Sequence, residues 1–302
     1  MYNNSSFVNK DKILDWIRVE KLSFISLSEN PNAIRLLEQN PEKISWFTLS
    51  GNHNAISLLE KNPEKICWFT LSGNHNAISL LEKNPEKICW SELSGNMNAI
   101  HLLEKNPEKI DWYDLSLNPN AIHLLEENQE NQENIDWKIL SKNPNAIHLL
   151  ERNPEKICWP YLSKNPNAIH LLNPEKIDLY YLWYGLCLNP NAIHILEKNP
   201  EKINWSALSS NPNAIHLLEK NLGKIDWYEL SSNPNAIHLL EKNQEKIIWM
   251  LFSKNPAIFM KVIDYKFLKN RMDVIREELM IKCMSPARLE RWIEMGGEID
   301  DF

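Results

Sequence analysis

Seven histidines, His101, His123, His148, His170, His194, His216 and His238, stand at one place in a motif that keeps returning along the chain, and His53 and His75 occur elsewhere in it. A regular row of imidazoles suggests metal ligation, nucleophilic catalysis with a cysteine, or pH sensing. Metal ligation fits poorly. Ligands of one zinc lie about 2.1 Å from it, whereas stacked copies of a helical motif are about 8 to 10 Å apart. A Cys–His pair needs one unique, converging arrangement, but Cys67, Cys89 and Cys158 share a motif position, Cys187 takes another and Cys283 lies beyond the repeats. Protonating all nine histidines would move the formal charge from −7 to about +2, so a pH response is an expectation to test.

Other reactive motifs are missing. The sequence has no GxSxG, no HExxH and no glycine-rich phosphate loop, and it holds only seven glycines in 302 residues. No catalytic, cofactor-binding or metal-binding residue is assigned, and the chain is read as a non-enzyme. Recognition chemistry is better represented. Tyr180, Tyr181, Trp183 and Tyr184 fall within five residues, inside an insertion, and Tyr113 and Tyr228 occupy a position that varies from copy to copy. Exposed Tyr and Trp are enriched at interface hot spots, so these six are the candidate partner-binding residues. The competing reading of the insertion is a bulge that refills the core.

The elements that would carry these residues come from the repeat. Units open at Asn30, Asn52, Asn74, Asn96, Asn118, Asn143, Asn165, Asn189, Asn211 and Asn233; eight are 22 residues long, the fifth 25 and the seventh 24. In the unit at Asn96, Ala99, Ile100, Leu102 and Leu103 share one face of a helix, with His101, Glu104 and Lys105 opposite. This predicts an amphipathic helix A of roughly nine residues, started by Asn at position 1 and ended by Asn106 and Pro107. A mostly capping residue at position 16 precedes a tryptophan, which predicts a short helix B over Trp112 to Leu115. The recurring tryptophan is read as a core residue.

Neither helix can shield its apolar face alone, so units must stack. The expected fold is all-α: an α-solenoid of about ten 22-residue helix-turn-helix repeats over 30–254. Residues 1–29 provide an N-terminal cap and half repeat, KLSFISLSE, and 255–302 a C-terminal helical cap with a last helix from Ser285. Ten layers predict an open rod or superhelix roughly 80 to 100 Å long. A leucine-rich-like horseshoe, with KICWFTL as a strand, is the alternative fold.

The motif NPNAIHLLEKNPEKIDWxxLS and the tail MSPARLERWIEMGGEIDDF resemble a family of asparagine-rich repeat proteins encoded by giant DNA viruses of the mimivirus group, over about residues 20–302. The resemblance implies a viral protein acting in host cytoplasm and supplies no catalytic residues to carry over. Arg35, Ser57 and Ser79 depart from it where later units carry His, as does the aromatic insertion.

Composition agrees with a soluble scaffold. The chain is 43% hydrophobic and 24% charged, with five cysteines lacking CxxC spacing and no apolar run long enough to cross a membrane, which reads as reducing and intracellular. Forty acidic residues against 33 basic ones disfavour a nucleic-acid binder. The leading expectation is a scaffold for protein–protein interaction with a viral or host protein. The alternative is a helical-repeat RNA reader with one unit per base.

Overall fold

The computed structural model describes residues 9–127, 133–172, 180–263 and 265–283, with 288 and 291. It separates into a repeat body, Leu14–Ile258, and a second unit formed by the two chain ends. The body is a helical repeat array in which every layer carries a B helix, eleven among the described residues, from Phe24–Glu29 to Trp249–Lys254. The stretch read as a strand in the horseshoe alternative forms helix B instead, as at Trp68–Ser72.

Helix A is shorter than nine residues. It runs from position 5 to position 9 or 10, as in Ile78–Glu82 and Ile147–Arg152, because Asn at position 1 does not cap it. The Asn74 side chain is bonded otherwise. Its Oδ1 accepts from the Asn76 N–H at 3.0 Å, closing an Asx turn, and its Nδ2 donates to the carbonyls of Asn52, which opens the previous unit, and Ser50, near the end of the unit before that, both at 3.0 Å. The side chain is fully buried, so it ties two layers where water cannot compete. Position 21 adds a second tie. The Ser72 hydroxyl donates to the Trp68 carbonyl at 2.7 Å and accepts from the Cys89 N–H of the next layer at 2.9 Å.

The apolar core is the column of Ala at position 4 and Leu at positions 8 and 20, such as Ala77, Leu81 and Leu93, all fully buried. The tryptophans are not its centre, contrary to expectation. Most are half-buried, and a lysine of the next layer lies over most of the rings, as with Lys65 over Trp46 at 4.7 Å and Lys87 over Trp68 at 4.6 Å. The indole covers the layer boundary, and its π face attracts the ammonium. Trp183 is the exception at 5% exposure.

The expected open rod is corrected by the bonds at its ends. Asn30 in the first layer donates to the carbonyls of Ser253 and Asn255 in the last, at 3.0 and 2.9 Å, repeating the pattern of every internal Asn. Asn32 donates to Pro256, the Ser23 N–H to the Ser253 hydroxyl, Lys254 pairs with Glu29 at 2.7 Å, and Lys21 lies over Trp249. The repeat body is a closed ring. One layer of it is composite: Asn255–Ile258 supply positions 1 to 4, with Ala257 closing the Asx turn, and Leu14–Glu29 supply the remainder. The junction is a bond from the Leu14 N–H to the Ile258 carbonyl at 3.0 Å. The ends of the array are therefore joined, not capped.

The second unit begins with an antiparallel ribbon, β1 (Asn9–Ile13) paired with β2 (Phe259–Ile263) in register from Asn9↔Ile263 to Ile13↔Phe259. β1 lies in the expected N-terminal cap, and β2 precedes a helix in the expected C-terminal one. The helix Tyr265–Cys283 follows. The expected last helix from Ser285, the duplicated ENQ and the segment 173–179 lie outside the described residues.

Candidate functional site

Neighbouring B helices pack directly on one another around the ring, while neighbouring A helices lie further apart. A closed ring is tighter on its inner side, so the B helices form the inner wall. Eleven helices at about 8 Å spacing trace a circle roughly 28 Å across at their axes. Subtracting helix radii of about 5 to 6 Å on each side leaves an opening of roughly 17 Å. An extended chain or a single helix passes that opening, whereas a folded domain of 100 residues, about 13 Å in radius of gyration, does not.

Most B helices present position 18 to solvent, with Ser91 and Pro160 half-buried there. Ile25, Phe47, Phe69, Tyr113, Tyr184, Tyr228 and Met250 are all exposed there. The frame fixes this outcome: positions 20 and 21 are committed to the core and the serine tie, so the residue after the tryptophan points away from both. The sequence-derived candidates divide accordingly. Tyr113 at 53%, Tyr228 at 52%, Tyr184 at 38% and Tyr181 at 70% are exposed. Trp183 is buried, at 5% exposure, and so does not offer a contact surface; among the described residues its Nε1 has no hydrogen-bond partner. The Tyr180 side chain lies outside the described residues. Ile25, Phe47, Phe69 and Met250 were missed, although their shared offset after the Trp or Phe of each unit was visible.

Charge on this wall comes in sectors. Glu92 lies on one layer and Asp111 and Asp114 on the next, and burial together with repulsion from Asp111 and Glu92 raises the Asp114 carboxyl above the ordinary value. The next layers carry Lys138, Lys142 and Lys164. Lys138 lies 5.0 Å over the Tyr161 ring, and Lys164 is 5.5 Å from Tyr161 and 5.4 Å from Tyr184.

The histidine row belongs to the A side. His101 bonds Glu82 of the previous layer at 3.0 Å, His216 bonds Glu197 at 2.9 Å and His238 bonds Glu219 at 2.8 Å, all exposed. These are layer-to-layer contacts, each worth about 0 to 1 kcal/mol at such exposure. His53 and His75 sit elsewhere, stacked at 4.8 Å, with Nδ1 of each donating to the next layer's Asn Oδ1 at 3.2 Å. Among the described residues no three His, Cys, Asp or Glu side chains are placed to hold one metal ion, and no helix is long and apolar enough to cross a membrane. No family model, no curated protein and no solved structure matches the chain.

Proposed function

We propose that the protein is a non-enzymatic ring scaffold whose inner wall takes an extended segment of a protein partner. The observation that carries the reading is the exposed aromatic or aliphatic side chain at position 18 in most layers, on a frame whose asparagine, alanine, leucine and tryptophan positions hardly vary. Contiguous exposed apolar residues are uncommon on soluble proteins and mark binding surfaces. The opening selects a slender ligand, and rigid repeats spare the receptor the cost of ordering itself.

An RNA reader with one base per layer is less well supported, because Glu92, Asp111, Asp114 and Glu229 interrupt the wall and would repel a continuous phosphate backbone. The test places a photo-crosslinking phenylalanine analogue at Tyr113, Tyr228 or, as a control on the A side, His216. Proteins trapped from lysate are identified, purified and titrated against the ring. The reading expects crosslinks from the tyrosine sites, and binding lost in a Phe47→Ser/Tyr113→Ser/Tyr228→Ser variant. Crosslinks confined to His216, or binding indifferent to the triple variant, would reject it.

A further inference from the structure

The wall is not uniform, and one part of it has a chemistry of its own. Lys138, Tyr161, Lys164 and Tyr184 alternate along neighbouring layers, with each ammonium over a ring, and Lys142 stands beside them, exposed. Elsewhere the lysines over aromatic rings sit at position 14 and cover layer boundaries. These three lie at positions 18 and 22, on the solvent side of helix B, and no carboxylate pairs with any of them among the described residues. A stacked lysine keeps its charge but loses part of its freedom, so an incoming anion meets a cation already held in place.

We infer that this ladder of three lysines and two tyrosines is a docking site for an acidic stretch of polypeptide, an inference that rests on the inner wall being a protein-binding surface. The ladder alone would suit any polyanion. Its neighbours decide: the layers immediately before it carry Glu92, Asp111 and Asp114, which no cation pairs among the described residues. A nucleic acid is charged evenly along its length and would run from the lysines into these carboxylates. A polypeptide can change sign within a few residues. Tyr161 and Tyr184 add apolar faces for aromatic or aliphatic side chains interspersed with the acidic ones.

The test uses the whole chain and defined probes: a fluorescent Glu-rich peptide containing phenylalanine, its Gln-for-Glu counterpart, and a single-stranded oligonucleotide of similar length, titrated by fluorescence polarisation at low and high salt. The Glu-rich peptide is expected to bind, the Gln version and the oligonucleotide to bind at least about tenfold more weakly. A Lys138→Gln/Lys142→Gln/Lys164→Gln variant is expected to lose the peptide by about tenfold or more while staying folded, since Lys138 and Lys142 are exposed and Lys164 is only half-buried. Equal binding of the two peptides, or tighter binding of the oligonucleotide, overturns the inference. The two ideas fail separately. Crosslinking at Tyr113 and Tyr228 with no preference for the Glu-rich peptide rejects the acidic ligand alone, whereas peptide binding without those crosslinks rejects the wider inner-wall reading.

Discussion

The Nδ2 of Asn30 lies 2.9 Å from the carbonyl oxygen of Asn255, 225 residues further along the chain, and the bond is buried. The Asn74 bond to Asn52 has the same donor and acceptor types at 3.0 Å and spans 22 residues. A contact normally made between neighbours is here made between the two ends. An open array gives each terminal unit one interface, and such units fray first. In the ring every layer has two. Closing a flexible loop of this length costs about 5 kcal/mol, by (3/2)RT ln n. A stack already folded and curved pays much less, so closure is expected to follow layer formation.

The asparagine ladder predicts a large penalty at a residue with no catalytic role. Asn74→Ala removes two buried hydrogen bonds and two part-buried ones, the latter from Asn76 and His53, and strands two carbonyls and an N–H, at a cost of about 2 to 4 kcal/mol. Asn74→Asp keeps the acceptor but loses both donations, and is expected to be no better. Chemical denaturation measures both; a loss below about 0.5 kcal/mol would remove the ladder from the account.

Gly185 reverses the usual rule for helices. Alanine in place of a helical glycine ordinarily stabilises by about 1 kcal/mol. Here a Cβ would run into the Ser163 side chain of the neighbouring layer, which is bonded to the Pro160 carbonyl. Gly185→Ala is therefore expected to lower the melting temperature, and Ser163→Gly to restore part of it. A stabilised single variant would contradict the packing described.

Cys187 stands where other layers have the tying serine, and its sulfur accepts the Asn204 N–H at 3.3 Å. Burial pushes its thiol up to about 11. At pH 8 the folded protein should shield it from thiol reagents, while Cys67, Cys89 and Cys158, half-buried, react faster. Mass mapping of modified sites checks the order. Cys187→Ser is expected to bind the Asn204 amide more strongly and to raise stability.

Asp114 gives a pH signature. Its carboxyl titrates above the ordinary aspartate value, so the stabilisation tied to its protonated form is present at low pH and lost as pH rises through the folded value. At pH 7 it is charged beside Asp111 and Glu92. Asp114→Asn should melt higher than the parent at pH 7, by a small margin given its partial exposure, and the gap should close near pH 3.5. An unchanged gap across that range would show that the three carboxylates do not repel one another.

The sequence carried most of the frame. Asn at position 1, Trp at 17 and Leu at 8 and 20 located the layers, because each layer meets the same neighbours and needs the same residues. It carried the variable positions too, and position 18 proved to be solvent-facing. The short helix A was less legible, since an Asx turn and an N-cap use the same side chain with different partners. The half-buried tryptophans were misread because a large apolar residue signals a core only when nothing else can cover it, and here the lysine of the next layer does. Closure had a signal in plain sight: Val19-Glu20-Lys21-Leu22-Ser23-Phe24 repeats the end of a unit and Asn255-Pro256-Ala257-Ile258 the start of one. Together they make a single layer, but curvature arises from small differences in spacing between the A and B sides, which no single unit displays.

Ring closure is tested most directly by pulsed electron paramagnetic resonance between spin labels at positions 29 and 254, in a background with the native cysteines replaced. The closed ring predicts one narrow distance below about 20 Å, that of labels on adjacent packed helices. A broad distribution centred on the order of 80 Å, the length of an open stack, would contradict it.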